Sequence, residues 1–330
     1  MTVLARSSEW TGRDPELMHH YSLYTSRSIA RRPEMQQVWQ VEIPKTAYSY
    51  EFLMHGILAL SALHIACSCP ERYSSYLKSS RYHITLALRS FRRALLSPTA
   101  ENCCALFASS SIIMVYTFAT PAEPDGAGTW VILESVIELF KLCRGILALK
   151  GFITEIRNSP LRPLLRQDFE VSVSIAKGNP NKLFVGIENE LHQLSSFLDA
   201  ELLESHQRFS CGHALEQLDY SFKCIQNAEL PLECGMIFIW PISVKEEFIY
   251  LVEEMNVGAL VLMAYYCAQL CIFEDYWFVG ERAQSLFSEI STALPERLWK
   301  WLAWPKSVIY SPRHISGSGP TTGPVPTGWI

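Results

Sequence analysis

Residues 52–66 read FLMHGILALSALHIA, and this stretch decides the fold. Twelve of its fifteen residues are apolar or glycine, and the exceptions, His55, Ser61 and His64, are spread along it. A helix that is apolar on every side belongs in the middle of a protein. The two histidines are nine positions apart, which at about 100° per residue puts them on opposite faces. They cannot share one ligand on that helix. Each reads either as a buried, hydrogen-bonded histidine or as a ligand or proton-transfer group.

The text on either side keeps the helical period. Asp14-Pro15-Glu16 is a helix start, with Asp14 placed to accept an orphan backbone N–H and Pro15 in the first turn, where its missing donor costs nothing. His19 and His20 stand near that start and read as surface polar groups. A second start lies near Pro33. From Tyr76 to Leu96, Lys78, Arg81, Arg89, Arg92 and Arg93 alternate with apolar residues, giving an amphipathic helix with a solvated basic face. Asn102 to Thr120 gives another buried helix, and residues 121–128, PAEPDGAG, a loop. Helices are expected over Trp130–Leu149, Ile187–Ser205, Gly212–Asn227, Glu246–Ile272 and Glu281–Trp301. Residues 160–180 are proline-punctuated, with a short strand possible over Val171–Ile175. With no run of strands, the fold class is all-α, a single helical bundle of roughly nine to twelve helices. The expected division is an N-terminal tail over 1–15, the helical domain over 16–306 and a Gly/Pro/Ser/Thr-rich tail over 307–330.

Composition narrows the function. The chain has 330 residues, 28 Lys+Arg against 33 Asp+Glu, a net charge of -5, and 49% apolar residues. Charged residues make up 18%, below the roughly 25% of ordinary soluble domains. Apolar surface must therefore be covered by packing, a ligand or a partner. A mildly acidic chain lacks the basic excess of a stand-alone nucleic-acid binder, so no direct nucleic-acid binding is expected. The charge-free stretch from Cys103 to Pro121 approaches the length of a membrane span, but its serines favour a buried helix. No membrane span, signal peptide or lipidation box is expected, and a cytoplasmic location follows. The ten cysteines contain no C-x-x-C, and most, such as Cys67, Cys143, Cys267 and Cys271, read as small buried hydrophobes, with no metal site and no cofactor.

Nucleophile elbows, phosphate loops and dinucleotide fingerprints are absent from the sequence. Glu274-Asp275 lacks the further acids that would hold magnesium and a diphosphate for terpene cyclisation. The densest unusual feature is aromatic: Trp240, Tyr250, Tyr265, Tyr266, Phe273, Tyr276, Trp277, Phe278, Trp299, Trp301 and Trp304 crowd the last third. Such rings form either core or the wall of a ligand pocket.

Several segments carry a family likeness. Residues 17–21, LMHHY, then Trp39, the stretch 52–66, Tyr76, His83, Ala87 and Phe91, and residues 101–108, ENCCALFA, resemble the ligand-sensing regulatory domain of fungal binuclear zinc-cluster transcription factors. Within that family the chain resembles the sterol uptake control regulators. Residues 276–280, YWFVG, and 301–305, WLAWP, resemble its C-terminal signature. The resemblance implies an all-α domain with an apolar internal cavity for a sterol-like ligand, commonly dimeric. It also implies a cysteine-rich zinc cluster before this domain, whereas the matching text here begins at about Leu17 and the first cysteine is Cys67. Glu281-Arg282 also departs from the family pattern.

Two functions fit these readings. In the first, the pocket serves fungal secondary metabolism as a cofactor-independent cyclase of pericyclic, Diels–Alder type, acting on a terpenoid or polyketide by holding it in a reactive conformer. The alternative is a transcriptional regulator or co-regulator of sterol or secondary metabolism that senses a sterol-like ligand, nuclear in location and a candidate homodimer. The ligand-binding candidates are Phe107, Met114, Trp240, Tyr276 and Trp277, with Tyr276 and Trp277 orienting the ligand. His55 and Tyr266 are the hydrogen-bond donor candidates.

Overall fold

The computed structural model describes residues 12–121, 130–169, 183–202, 204–228 and 230–311, with side chains to 165 in the second segment. Every described element is helical, as the periodicity requires. Helices α1 (Asp14–His20), α2 (Ser26–Ile29), α3 (Pro33–Gln37) and α4 (Ile43–Ala47) form an N-terminal layer, broken by π-helical turns at Tyr21–Thr25 and Val38–Glu42. Helix α5 (Glu51–Ser68) is central. From Phe52 to Ala66 only Met54 is partly exposed. Its Gly56 lets a neighbour come close: a Cβ there would lie 3.3 Å from the Ile112 side chain. Among the described residues α5 is the one helix long and apolar enough to cross a membrane, and 78% of its window is buried inside the protein.

Helix α6 (Tyr73–Leu95) pairs with α5 along its length, burying Tyr76, Leu77, Ser80, His83, Ile84, Ala87 and Phe91. Its cations face outward. Helix α7 (Cys103–Ala119) is buried nearly throughout and turns two of its serines onto its own backbone, Ser110 donating to Leu106 O at 2.9 Å and Ser111 to Phe107 O at 3.1 Å, while the buried Ser109 Oγ has no partner.

The chain continues through α8 (Val131–Gly145), a 3-10 turn over Ile146–Phe152, α9 (Ile153–Arg157) and α10 (Arg162–Phe169). Helices α11 (Ile187–Glu201) and α12 (Ser205–Asn227) come next, then a 3-10 turn over Cys234–Phe238, α13 (Ile239–Ser243), α14 (Glu246–Glu253) and α15 (Val257–Leu270). The described chain ends with α16 (Arg282–Ala293), a 3-10 turn over Glu296–Leu302 and α17 (Ala303–Ile309).

Four sequence readings change. The helix expected over Glu246–Ile272 is two helices bent by 102°. Met255 takes a left-handed φ of 58°, and Asn256 then caps α15 by accepting from Gly258 N and Ala259 N. The helix expected over Glu281–Trp301 stops at Ala293, before Pro295. Asp14 does not cap α1 with its side chain. The carboxylate is buried and meets His83 Nε2 at 3.3 Å. His20 is likewise buried, only 8% exposed, rather than a surface group. The possible strand over Val171–Ile175 lies outside the described residues, as do 1–11 and 312–330 of the two expected tails.

Candidate ligand cleft

A half-open cleft lies where the N-terminal layer meets α7 and the Cys234–Ile242 segment. Met35 and Trp39 form one wall, Phe107, Ser111 and Met114 the second, and Cys234, Gly235 and Phe238 the third. The π-helical turn at Val38–Glu42 carries Trp39 into this wall, and the Tyr21 hydroxyl anchors it by donating to Trp39 O at 2.9 Å. Such turns widen a helix by one residue and re-aim the side chains beyond them.

Among the described residues, no charged side chain lines the cleft. The lining residues with a polar side-chain atom are Ser111, whose Oγ donates to Phe107 O, Cys234, and Trp39, whose indole N–H is buried. Trp39 is 3% exposed, and its Nε1 has no hydrogen-bond partner. A buried donor left unpaired costs on the order of 1–3 kcal/mol. The free volume is about 40 Å³, room for a few waters. Drug-sized ligands occupy roughly 300–1,000 Å³, so such a ligand requires the walls to part. Met35 and Met114, with flexible thioether chains, stand where that would happen.

The wall at Cys234 is tied to the N-terminal layer by a buried carboxylate. Glu233 accepts backbone N–H groups from Arg31 at 3.0 Å and from Arg32. Burial pushes its carboxyl up to about 7, against the opposing pull of those two amides and their guanidinium groups. Cys234 Sγ adds a contact to Ile29 O at 3.1 Å.

Of the seven residues singled out from the sequence, the cleft brings Phe107 and Met114 together. Trp240 is fully buried beneath the third wall, its Nε1 donating to Ala214 O at 2.9 Å. Tyr266 is 5.1 Å from it, ring to ring, and donates to Ile237 O at 2.9 Å. Tyr276 supports the Glu233 segment, donating to Leu232 O at 3.0 Å while the Arg31 guanidinium lies 4.2 Å above its ring. Desolvation raises both phenols well above their usual range.

His55 and His64 sit on opposite faces of α5 and meet different partners, as their spacing requires. His55 Nδ1 lies 3.0 Å from His83 Nδ1, continuing the contact to Asp14. His64 Nδ1 lies 3.3 Å from His20 Nε2 and 3.0 Å from Thr25 Oγ1, and its ring stacks on Trp277 with centroids 4.6 Å apart. The Trp277 Nε1 is buried without a partner. Burial lowers His20 to about 4 and His64 to about 3, so both are neutral near pH 7.

Sequence reasoning missed Trp39 as a cleft residue. It lies in helical text like any core tryptophan, and the missing partner of its N–H is a tertiary property. No group of three or more metal-ligating side chains occurs among the described residues.

Known proteins share parts of this chain. Residues 16–170 match the family model described as the fungal specific transcription factor domain. The chain is 23% identical over 258 residues to the Zn(2)-C6 fungal-type transcription factor afumD of Aspergillus fumigatus, covering 74% of this chain and 64% of that protein. It is 33% identical over 113 residues to sterol uptake control protein 2 of Candida albicans, and 34% identical over 117 residues to sterol uptake control protein 2 of Saccharomyces cerevisiae. Those matches cover 34% and 35% of this chain but 15% and 12% of the two proteins. The chain thus spans under two thirds of the length of the relatives it matches.

Proposed function

From a chain whose residues 16–170 carry the fungal specific transcription factor domain, we propose that residues 16–306 form the ligand-sensing unit of a fungal transcriptional regulator acting in the nucleus. The ligand is an apolar molecule bearing one hydrogen-bond acceptor, a sterol-like or terpenoid ketone or alcohol. The observation that carries this reading is the uncharged cleft walled by Phe107, Met114 and Trp39, whose buried indole N–H has no hydrogen-bond partner. A carboxylate or phosphate would find no cation there, whereas a carbonyl or hydroxyl oxygen satisfies the indole and its hydrocarbon body replaces water on apolar walls.

Ligand entry would part α7 from the N-terminal layer. The Glu233 clasp holds the opposite side of the cleft together, so the displacement is directed toward α7 and its neighbours. Relatives named as transcription factors and sterol uptake control proteins support this reading over pericyclic cyclisation, for which neither the cleft nor the comparisons supply a specific observation.

Thermal unfolding of the purified chain with a panel of sterols, terpenoid ketones and matched hydrocarbons tests it. Oxygenated members should raise the unfolding midpoint progressively with concentration, since a ligand that binds only the folded state stabilises it by mass action. A panel without effect, or turnover of a polyene into a cyclised product, would overturn it.

A further inference from the structure

Helix α6 carries a second surface that the cleft does not use. Lys78, Arg81, Arg89, Arg92 and Arg93 are all exposed, and residues 73–100 contain no Asp or Glu. The formal charge of -5 thus divides into +5 on this segment and -10 on the rest of the chain. At about 100° per residue, Arg89 lies about 20° and Arg93 about 60° to one side of Lys78, with Arg92 about 40° and Arg81 about 60° to the other. The five cations form one stripe about 22 Å long at about 1.5 Å per residue. Among the described residues, Lys78, Arg89, Arg92 and Arg93 have no carboxylate partner.

Like charges gathered on one face repel one another, and ordinary surfaces intersperse the two signs. This stripe is carried by a helix locked through its opposite face onto α5. Apolar groups lie among the cations. Tyr82, 42% exposed, falls about 40° from Lys78, and Leu96, 84% exposed, lies directly in line with it at the end of the stripe.

We propose that this face of α6 docks an acidic peptide segment of a partner protein, with apolar residues interspersed among its carboxylates. Arginine forks grip carboxylates in pairs of parallel hydrogen bonds, and Tyr82 and Leu96 receive the interspersed side chains. Duplex nucleic acid fits less well. It presents a charge about every 1.7 Å, meets the -10 on the rest of the chain, and leaves Tyr82 and Leu96 without a use. A membrane surface needs an apolar face to insert, and the apolar face of α6 is already committed to α5. The proposal does not rest on the cleft and is measured without cleft ligand.

The experiment is fluorescence anisotropy of a labelled twenty-residue peptide of Asp and Glu interspersed with Leu and Phe, titrated with the full chain. The triple charge reversal Arg89→Glu, Arg92→Glu, Arg93→Glu should weaken binding at least tenfold. In the wild type, raising NaCl from 50 to 300 mM should weaken it severalfold. Circular dichroism checks that the variant is folded. If it is not, the milder pair Lys78→Gln, Arg89→Gln replaces it, with a loss of about threefold or more expected. The proposal is overturned by no binding by the wild type, by equal binding by a folded variant, or by tighter binding of a twenty-base-pair duplex than of the peptide. Equal binding of a peptide with Gln and Asn in place of the acids would do the same.

Discussion

The Glu233 carboxylate accepts the backbone N–H of Arg31 at 3.0 Å across 202 residues of sequence, with Glu233 itself 0% exposed. This contact fastens the loop between α2 and α3 to the segment that supplies Cys234, Gly235 and Phe238 to the cleft. It supports both the shape of the cleft and an unusual pH dependence.

Burial raises the Glu233 carboxyl from the usual 4.5 to about 7, so the folded protein binds this proton more tightly than the unfolded chain. The resulting contribution to stability is fully present below pH 4.5 and is lost as pH rises through about 7. Glu233→Gln removes the titration while keeping an amide oxygen as acceptor. Its thermal midpoint relative to wild type should therefore rise from pH 5 to pH 8. A constant difference across that range would contradict the raised carboxyl.

The buried histidines tilt stability the other way. Their folded values of about 4 for His20 and about 3 for His64 lie below the usual 6.5, so the unfolded chain takes up protons first. This contribution is complete above pH 6.5 and is lost as pH falls toward 4. His64→Gln should flatten the decline in thermal midpoint between pH 6.5 and 4.5, at some cost in stability from the lost stacking on Trp277. Identical slopes for variant and wild type would exclude the pair as the source.

Gly258 opens α15 against α11. A Cβ there would stand 3.0 Å from Leu198 Cδ2 and 3.1 Å from Leu202 Cδ1. Gly258→Ala, favourable in an isolated helix, should instead destabilise by about 1–3 kcal/mol through overpacking. Asn256→Ala, which removes the α15 cap, should cost about 1 kcal/mol. Urea denaturation measures both, and a stabilised Gly258→Ala would show that the two leucines give way freely.

The fold was legible where one signal dominated. The apolar run of 52–66 announces a central helix, and the nine-residue spacing of His55 and His64 correctly separates their partners. What escaped was tertiary. The break between α14 and α15 has neither Gly nor Pro at its turn, and the only local hint was Asn256 two residues before Gly258. Asp14 and His20 look like helix-start polar groups until α6 and α5 pack over them. In the cleft, Phe107 and Met114 were legible as apolar helix residues. Trp39 was not, because whether an indole N–H finds a partner depends on residues far away in sequence.

The most direct measurement compares a cyclic terpenoid ketone with its matched hydrocarbon, each titrated into wild type and Trp39→Phe and followed by calorimetry. Phenylalanine keeps an aromatic wall and removes the N–H. Wild type should prefer the ketone by about 2–10-fold, the worth of one neutral hydrogen bond, and Trp39→Phe should lose that preference while still binding the hydrocarbon. Equal preference for the ketone in both proteins would contradict a Trp39-directed ligand cleft.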